Sequence, residues 1–303
     1  RCARQAAVSR IHLKLVAMAV FWASSYPLGR HLGQFHVPAV VAGLRLAFAT
    51  ACLLLIAGAA GQLRQTFTPR VLAIFLLMGA SGFCVHNLLM MYALQFTRAN
   101  TGAVINGAIP IMIVLLDFAI FRRRITRLGL LGVLMGFVGT AVVVTHGDIF
   151  AAFAHGIGRG EAVFLVAITG WAIYSIAGRP LFGLMPPLAV TTYACLAGLI
   201  LMSPFTIAQW PAAAPLVHDW RLVALIGVQA LFSMSLGFVW YSQGVKTLGA
   251  MNTSMYANLV PVVAIGLSAV TLGERPDLAL LVGAALVIGG LVVVGRAQAK
   301  ALA

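Results

Sequence analysis

Two apolar stretches of the sequence each carry hydroxyl and aromatic side chains at helical spacing. They are Trp22, Ser25 and Tyr26 in the first stretch, and Trp171, Tyr174 and Ser175 in the second. Positions i, i+3 and i+4 share one face of an α-helix, so each stretch presents rings and hydroxyls on one side. This chemistry offers hydrogen bonds and apolar area to a small solute. The alternative is structural, because serines also bond to backbone carbonyls and small residues pack helices together in lipid.

Further candidate binding residues are polar or aromatic and lie within other apolar stretches. They are His86, Asn87, Met90, Tyr92, Asn106, Trp240, Tyr241, Tyr256 and Asn258. A histidine inside a membrane span is costly unless it faces protein or water, which makes His86 a functional candidate. A histidine that only hydrogen-bonds across a helix interface explains the sequence equally well. Together with the first six residues, this set predicts a substrate-binding surface.

Charged side chains within the apolar stretches are few. Arg45 is the one basic residue well inside a stretch, where it could snorkel, pair with a helix C-terminus or meet a substrate carboxylate. We expect a structural role for it. Glu274 is interpreted as part of an interfacial pair or cap, and Asp117 as the partner of the nearby Arg122 to Arg124. No acid lies in the middle of a stretch, so the sequence does not indicate proton coupling.

Catalytic and metal-binding patterns are absent from the sequence. There is no HExxH motif, no pair of intramembrane aspartates, and no Ser or Cys with a nearby His and acid. The cysteines at positions 2, 52, 84 and 195 form no CxxC pattern. We therefore expect a protein that is not an enzyme and that uses no catalytic residue, metal or cofactor.

The composition requires that membrane helices position these residues. Of the 303 residues, 62% are hydrophobic and 9% are charged, which is incompatible with the surface of a soluble domain. A helix needs about 20 apolar residues to cross the hydrocarbon core of a bilayer. Ten stretches meet this length, namely 13–32, 38–58, 70–95, 99–121, 126–145, 160–179, 187–208, 219–245, 249–272 and 278–295. The sequence thus predicts an all-α, polytopic integral membrane protein with ten transmembrane helices.

The Lys and Arg residues indicate the orientation of these helices. With the N-terminus placed in the cytoplasm, 14 of the 20 basic residues fall on the cytoplasmic side, and five of the 6 acids fall on the other. Because cytoplasmic loops are enriched in Lys and Arg, we expect both termini in the cytoplasm. The net charge of +14 is spread over short loops, so it does not indicate nucleic-acid binding.

The two halves of the sequence align with each other. The offset of 149 residues that separates Trp22 from Trp171 pairs "WASSYPLGRHL" with "WAIYSIAGRPL". We expect two five-helix units, residues 1–147 and residues 148–303. Since five is odd, the second unit enters the membrane from the opposite side. Such inverted repeats are typical of secondary transporters that work by alternating access.

Three motifs, together with the repeat, resemble the drug/metabolite transporter superfamily, specifically its ten-helix EamA-type members. They are the first helices of the two halves, "FWASSYPLGR" and "GWAIYSIAGR", then "GLRLAFA" around Arg45, and "LVPVVAIGLSAVTLGERP" from Leu259 to Pro276. Within the superfamily the chain is most similar to YddG-type exporters of amino acids and related metabolites. Two departures separate the halves: "AIPIMIVLLDFAIFRRRI" replaces the Gly-Glu pair in the first, and Ala194 stands opposite Arg45 in the second.

These observations predict a carrier that exports amino acids, including aromatic or other apolar ones, and related metabolites across the bacterial inner membrane. An uncharged, aromatic-lined cavity suits a zwitterion through apolar area and cation–π attraction. It suits phosphorylated solutes poorly because no basic cluster lies at depth. Efflux of cationic drugs and a channel are the alternatives. The expected partners are a small-molecule substrate and membrane lipid; a monomer suffices in principle, and a dimer stays open.

Overall fold

A computed structural model describes residues 2–122, 126–148, 157–248, 253 and 256–302. In these residues the regular secondary structure is entirely helical. No strand occurs in these residues. Nine of their helices are long and apolar enough to cross a membrane, and a tenth is apolar but shorter. In chain order they are α1 (Ile11–Phe35), α2 (Pro38–Ala59), α3 (Pro69–Ala93), α4 (Ala99–Phe121), α5 (Arg127–Val144), α6 (Arg159–Ala177), α7 (Pro187–Val217), α8 (Trp220–Tyr241), α9 (Leu259–Leu272) and α10 (Leu278–Arg296).

Several of these helices change geometry along their length. The segments are Cys2–Ala23, Ser25–Leu32 and the 3₁₀ turn Gly33–Phe35 around α1; Pro69–Met78, Gly79–Val85 and His86–Ala93 in α3; Ala99–Gly107 and Ile109–Phe121 in α4; Pro187–Gln209, Trp210–Ala213 and Ala214–Val217 in α7; and Trp220–Ala230, Leu231–Leu236 and Gly237–Leu248 around α8. A short helix, Arg179–Phe182, follows α6, and the helical backbone of α10 continues to Leu302.

Two π-helical segments lie at matching places of the two halves. They are Gly79–Val85 in α3 and Leu231–Leu236 in α8. The offset of 149 residues carries the first segment onto positions 228–234, which overlap the second. A π-helical turn holds one residue more than an α-helical turn, so it rotates the following side chains by roughly 100° around the axis. The faces of α3 and α8 therefore change at these segments.

The predicted all-α class with ten apolar helices in two repeats is confirmed, and most predicted ends agree with the structure within three residues. Two ends differ most. The helix α7 continues to Val217 because the proline-containing sequence "WPAAAPLV" forms a 3₁₀ turn and a last helical turn, and α9 begins at Leu259, whereas its predicted stretch begins at 249. Residues 249–252, which open the ninth predicted stretch, lie outside the described residues.

Local sequence signals explain where the helices begin. The helices α2, α3 and α7 have a proline in their first turn, where its missing N–H needs no partner. The side chains of Thr68, Thr126 and Asp219 each accept a backbone N–H at the start of α3, α5 and α8. Such caps satisfy donors that the helix itself leaves unpaired.

Helix pairing repeats between the two halves. The N-terminal part of α1 packs on the C-terminal part of α8, and α6 packs in the same way on α3; likewise α1 packs on α9 and α6 on α4. The helices α5 and α10 lie side by side with glycines at the contact: a Cβ at Gly132 would stand 2.7 Å from the Gly290 carbonyl oxygen. Close backbone approach through small residues is the usual packing mode in lipid. Because each half holds five helices, equivalent helices run in opposite directions.

Candidate functional site

The most deeply buried charged side chain among the described residues is Arg45, in the interior of α2. Only 3% of it is exposed. Its Nε donates to Gln229 Oε1 at 3.1 Å, and its terminal nitrogens donate to Ser25 Oγ at 3.2 Å and to Met91 Sδ at 3.6 Å. A guanidinium keeps its proton inside proteins. A full positive charge thus lies within the helix bundle, bonded to uncharged acceptors, and Arg45 does not snorkel.

Arg45 belongs to a hydrogen-bonded polar cluster, defined here as Ser25, Arg45, Gln229 and Ser233. Gln229 Nε2 donates to Ser25 Oγ at 2.5 Å, and Ser25 Oγ lies 3.3 Å from Ser233 Oγ. Because Ser25 Oγ already accepts from Arg45 and Gln229, its own proton is directed to Ser233. Each member is at most 6% exposed. The network therefore fixes the guanidinium at the junction of α1, α2 and α8.

An aromatic cluster adjoins the polar cluster and joins the two halves of the chain. Its members are Trp22, Phe83, Trp171, Tyr174, Phe238 and Tyr241. The Phe238 ring centroid lies 5.5 Å from that of Trp22 and 5.9 Å from that of Trp171, and Trp171 lies 4.8 Å from Tyr174. Rings at such separations attract each other beyond their burial. The Trp22 indole N–H donates to the Ser233 backbone oxygen at 2.9 Å, which connects the two clusters.

Three predicted residues of α3 are buried, and one of them, His86, contacts the aromatic cluster. His86 Nδ1 donates to the Ala167 carbonyl of α6 at 2.9 Å, and its ring centroid lies 5.0 Å from that of Trp171. Asn87 donates to a carbonyl of the π-helical segment at 3.4 Å, and Met90 is 5% exposed within the core. His86 thus combines both properties that its sequence position allowed, a bond across a helix interface and contact with the aromatic cluster.

Tyr26 and Asn106 form a contact between α1 and α4 next to the polar cluster. Tyr26 follows Ser25 in the chain, is 3% exposed and lies beside the Asn106 side chain. Asn106 Oδ1 is buried and has no hydrogen-bond partner among the described residues. Buried polar atoms are nearly always paired in proteins. This oxygen is therefore an acceptor available inside the bundle.

Tyr92 and Trp240 lie away from the aromatic cluster. Tyr92 sits at the end of α3, with its ring centroid 5.1 Å from the Arg159 guanidinium carbon. Trp240 packs on Phe21, with centroids 5.8 Å apart. The π-helical segment of α8 explains the second case. It inserts one residue into the turn, so that Tyr241 rather than Trp240 faces the aromatic cluster.

Ser175, Tyr256 and Asn258 also lie outside both clusters. Ser175 Oγ donates to the Trp171 carbonyl within α6 at 2.9 Å, which is the structural role that serines adopt in membrane helices. The Tyr256 hydroxyl is hydrogen-bonded to the ring of His12 near the start of α1. Asn258 stands directly before α9, and its side chain makes no capping hydrogen bond.

Charged residues at the helix ends connect the two halves. Glu274 accepts the backbone N–H groups of Ala99 and Asn100 at 2.9 and 3.0 Å, so it caps α4 from the end of α9. Asp117 receives two hydrogen bonds of 2.6 and 2.7 Å from Arg179. This pairing replaces the predicted one with residues 122–124, of which 123 and 124 lie outside the described residues, because α6 packs against α4 and brings Arg179 to Asp117.

Several residues of the two clusters carry no sequence pattern that marked them as binding residues. Arg45 was expected to be structural, and Phe83, Phe238, Gln229 and Ser233 were not among the predicted binding residues. Two signals were available in the sequence. The repeat offset aligns Phe83 with Phe232 near the middle of the paired helices. A lone arginine inside one apolar stretch and a glutamine inside another form a natural donor and acceptor pair.

Comparisons with known proteins agree with this architecture. The model of the EamA-like transporter family matches twice, over residues 9–145 and 158–296. A probable terminal-alkyne amino-acid exporter of Streptantibioticus cattleyicolor is 29% identical over 93% of this chain and 92% of its own length. The uncharacterized transporter YyaM of Bacillus subtilis is 28% identical over 93% and 92% of the two chains.

Two further comparisons concern a named substrate class and a solved fold. An aromatic amino acid exporter, YddG of Ancylobacter novellus, is 24% identical over 71% of this chain and 73% of that protein. One crystal structure superposes with a TM-score of 0.64 over 97% of this chain and 99% of the other, at 22% identity, which shows a shared fold. With two family matches that together span most of its length, the chain belongs to the EamA-like transporter family and is a multi-pass membrane protein.

Proposed function

We propose that this chain is a secondary carrier that exports amino acids, including aromatic or other apolar ones, by alternating access. The observation that carries the proposal is the aromatic cluster, which both halves of the chain build together beside a buried positive charge. An apolar or aromatic side chain of a substrate buries area against such rings, and ring pairs attract each other by about 0.5–1.5 kcal/mol beyond that burial. Two similar proteins are named amino-acid exporters, one of them for aromatic amino acids, which supports the same substrate class.

The burial of the site supports a carrier rather than an open pore. Ser25, Tyr26, Arg45 and His86 are each at most 6% exposed. A solute reaches these side chains only when helices of the two halves separate. Units 1–147 and 148–303 would provide this movement by rocking against each other, as inverted repeats do in other carriers. We place both termini in the cytoplasm of a bacterial cell, with the protein in the inner membrane, on the distribution of basic residues.

Transport by the purified protein in liposomes tests this function. Uptake of labelled phenylalanine should saturate and should accelerate when the liposomes are preloaded with unlabelled phenylalanine. A channel would show neither saturation nor acceleration. Flux equal to that of protein-free liposomes for every amino acid in a complete panel would overturn the proposal.

A matched pair of variants connects transport to the aromatic cluster. Trp171→Ala removes a ring at the centre of the cluster and should raise the KM for phenylalanine about tenfold or more, as expected for losing a buried aromatic contact of about 1.5 kcal/mol. Phe137→Ala removes a ring from the outer face of α5, where 63% of the side chain is exposed, and should leave the KM unchanged. Equal effects of the two variants would place the binding site elsewhere.

A further inference from the structure

The charge of Arg45 is not balanced by any of its hydrogen-bond partners. Gln229, Ser25 and Met91 are all neutral. The six acids of the sequence lie within four residues of a helix end, whereas Arg45 lies seven residues, or roughly 10 Å, inside α2. A buried charge without an opposite charge is unfavourable. The site therefore favours a ligand that brings a negative charge with it.

The guanidinium also has hydrogen-bonding capacity left for such a ligand. Of its five N–H groups, one donates to Gln229, one to Ser25 and one to the thioether sulfur of Met91. Sulfur is a weak acceptor, and each terminal nitrogen has a second N–H. A carboxylate that displaces the Met91 sulfur would receive two parallel N–H bonds, which is the strongest arrangement for this pair of groups.

A second polar group without a partner in the described part of the chain lies in a helix that packs on α1, near the polar cluster. Asn106 Oδ1 is a buried acceptor without a partner among the described residues. Tyr26, which lies beside the Asn106 side chain, directly follows Ser25 in the chain, and Ser25 accepts a hydrogen bond from Arg45. An ammonium group carries three donors and requires acceptors of this kind. A donor for a carboxylate and an acceptor for an ammonium are thus connected through the adjacent residues Ser25 and Tyr26 of α1.

We propose that Arg45 binds the substrate carboxylate and that Asn106 Oδ1 accepts a hydrogen bond from the substrate ammonium group. The substrate side chain then lies on the aromatic cluster, which begins at Trp22 beside Ser233. This assignment rests on the proposed export of amino acids and adds to it the recognition of the α-carboxylate and α-ammonium groups. Gln229 and Ser25 act as positioning residues because they hold the guanidinium in place.

Three probes separate the two ends of the substrate. Phenylalanine carries both charges, 3-phenylpropionate carries only the carboxylate, and phenethylamine carries only the ammonium group. Direct binding of each probe to the purified protein is measured alongside inhibition of phenylalanine transport. Arg45→Gln should weaken phenylalanine and 3-phenylpropionate about tenfold or more, as expected for losing a charge-assisted hydrogen bond, and should leave phenethylamine unchanged. Asn106→Leu should weaken phenylalanine and phenethylamine and spare 3-phenylpropionate.

A second variant tests the same idea with Arg45 intact. Met91→Gln places a strong neutral acceptor beside the guanidinium in a side chain of similar length, and it should compete with the carboxylate. We expect weaker binding of 3-phenylpropionate and phenylalanine, with phenethylamine unaffected, and a thermal unfolding temperature at or above that of the wild type. This variant decides the question if Arg45→Gln does not fold.

The outcomes separate this assignment from the proposed function. If the wild type transports phenylalanine but Arg45→Gln or Met91→Gln weakens all three probes equally, Arg45 has only a structural role and the assignment fails. If the wild type transports no amino acid, yet 3-phenylpropionate binds and Met91→Gln weakens it selectively, the carboxylate site stands and the amino-acid function fails. Absence of binding of 3-phenylpropionate to the wild type overturns the assignment.

Discussion

The polar cluster of α1, α2 and α8 has a counterpart position in the other half of the chain, and the two places differ in every residue. The repeat offset aligns Ser25 with Tyr174, Arg45 with Ala194, Gln229 with Ala80, and Ser233 with Cys84. One place holds a charged, hydrogen-bonded network. The other holds small residues and an aromatic ring, with Tyr174 packed edge-on against Phe83 at 5.4 Å.

This difference shows which features the duplication kept and which it let diverge. The aligned tryptophans, the prolines at the start of α2 and α7, the π-helical segments and the glycines of α5 and α10 are common to both halves. The charge is confined to one. The two clusters together therefore have a polar end and an aromatic end, and under the proposed function an amphipathic substrate lies there in one direction only.

Moving the charge to the other half should have the largest effect. Ala194 is fully buried, and the positions aligned with Gln229 and Ser233 hold Ala80 and Cys84, which offer neither an amide nor a hydroxyl acceptor, so Ala194→Arg should lower the free energy of unfolding by about 3–5 kcal/mol. Thermal unfolding in detergent measures this loss. Ala194→Met, with similar length and no charge, controls for crowding and should cost less; equal losses would show that volume alone is responsible.

Adding a carboxylate at aligned positions should have opposite consequences in the two halves. Gln229→Glu gives Arg45 a charged partner and should maintain or raise the unfolding temperature, while it lowers phenylalanine transport at least about tenfold by occupying the guanidinium. Ala80→Glu has no cation beside it and should destabilise the protein. Retention of full transport by Gln229→Glu would contradict a role for Arg45 in binding anionic groups.

The two aligned tryptophans should differ by one hydrogen bond. Trp22→Phe removes the indole N–H that donates to the Ser233 carbonyl, whereas no hydrogen bond of the Trp171 ring is found among the described residues. We expect Trp22→Phe to destabilise the protein by about 1 kcal/mol more than Trp171→Phe. Chemical unfolding of the two variants side by side gives this difference, and identical values would assign both rings a packing role alone.

The smallest effect concerns the aligned tyrosines. Tyr241 lies 5.8 Å from Trp22 in the aromatic cluster, whereas Tyr92 packs beneath Arg159 at the end of α3. Tyr92→Leu should change stability by less than about 0.5 kcal/mol and leave the KM for phenylalanine as it is. Tyr241→Leu should raise the KM. If Tyr92→Leu raises it as much, the substrate path extends to that end of the bundle.

The fold could be predicted from the sequence because, in a bilayer, the length and the hydropathy of a stretch are enough to identify a membrane-spanning helix. Runs such as 38–58 and 99–121 must be helical in lipid, since no other local structure satisfies their backbone groups. The internal repeat, with an odd number of helices in each half, then predicted that the two halves have opposite orientations in the membrane. The end of α7 was missed because hydropathy does not report the turn at Pro211, which continues the helix in another geometry.

The site could be predicted only in part. Regular helical spacing correctly grouped Trp22 with Ser25, and Trp171 with Tyr174. It failed beyond Leu231, where the π-helical segment moves Trp240 off the face that regular spacing assigns to it. The role of Arg45 depends on residues up to 184 positions away, and the periodicity of a single helix contains no information about such partners.

The π-helical segments also suggest an order for two evolutionary events, the insertion of a residue and the duplication of the five-helix unit. A π-helical turn originates from the insertion of one residue into an α-helix, and here it occupies overlapping positions in both copies. The simplest history has a single insertion in an ancestral five-helix chain, followed by duplication. In that history the altered helix face is older than the divergence of the two halves, so it precedes the charge that only one of them carries.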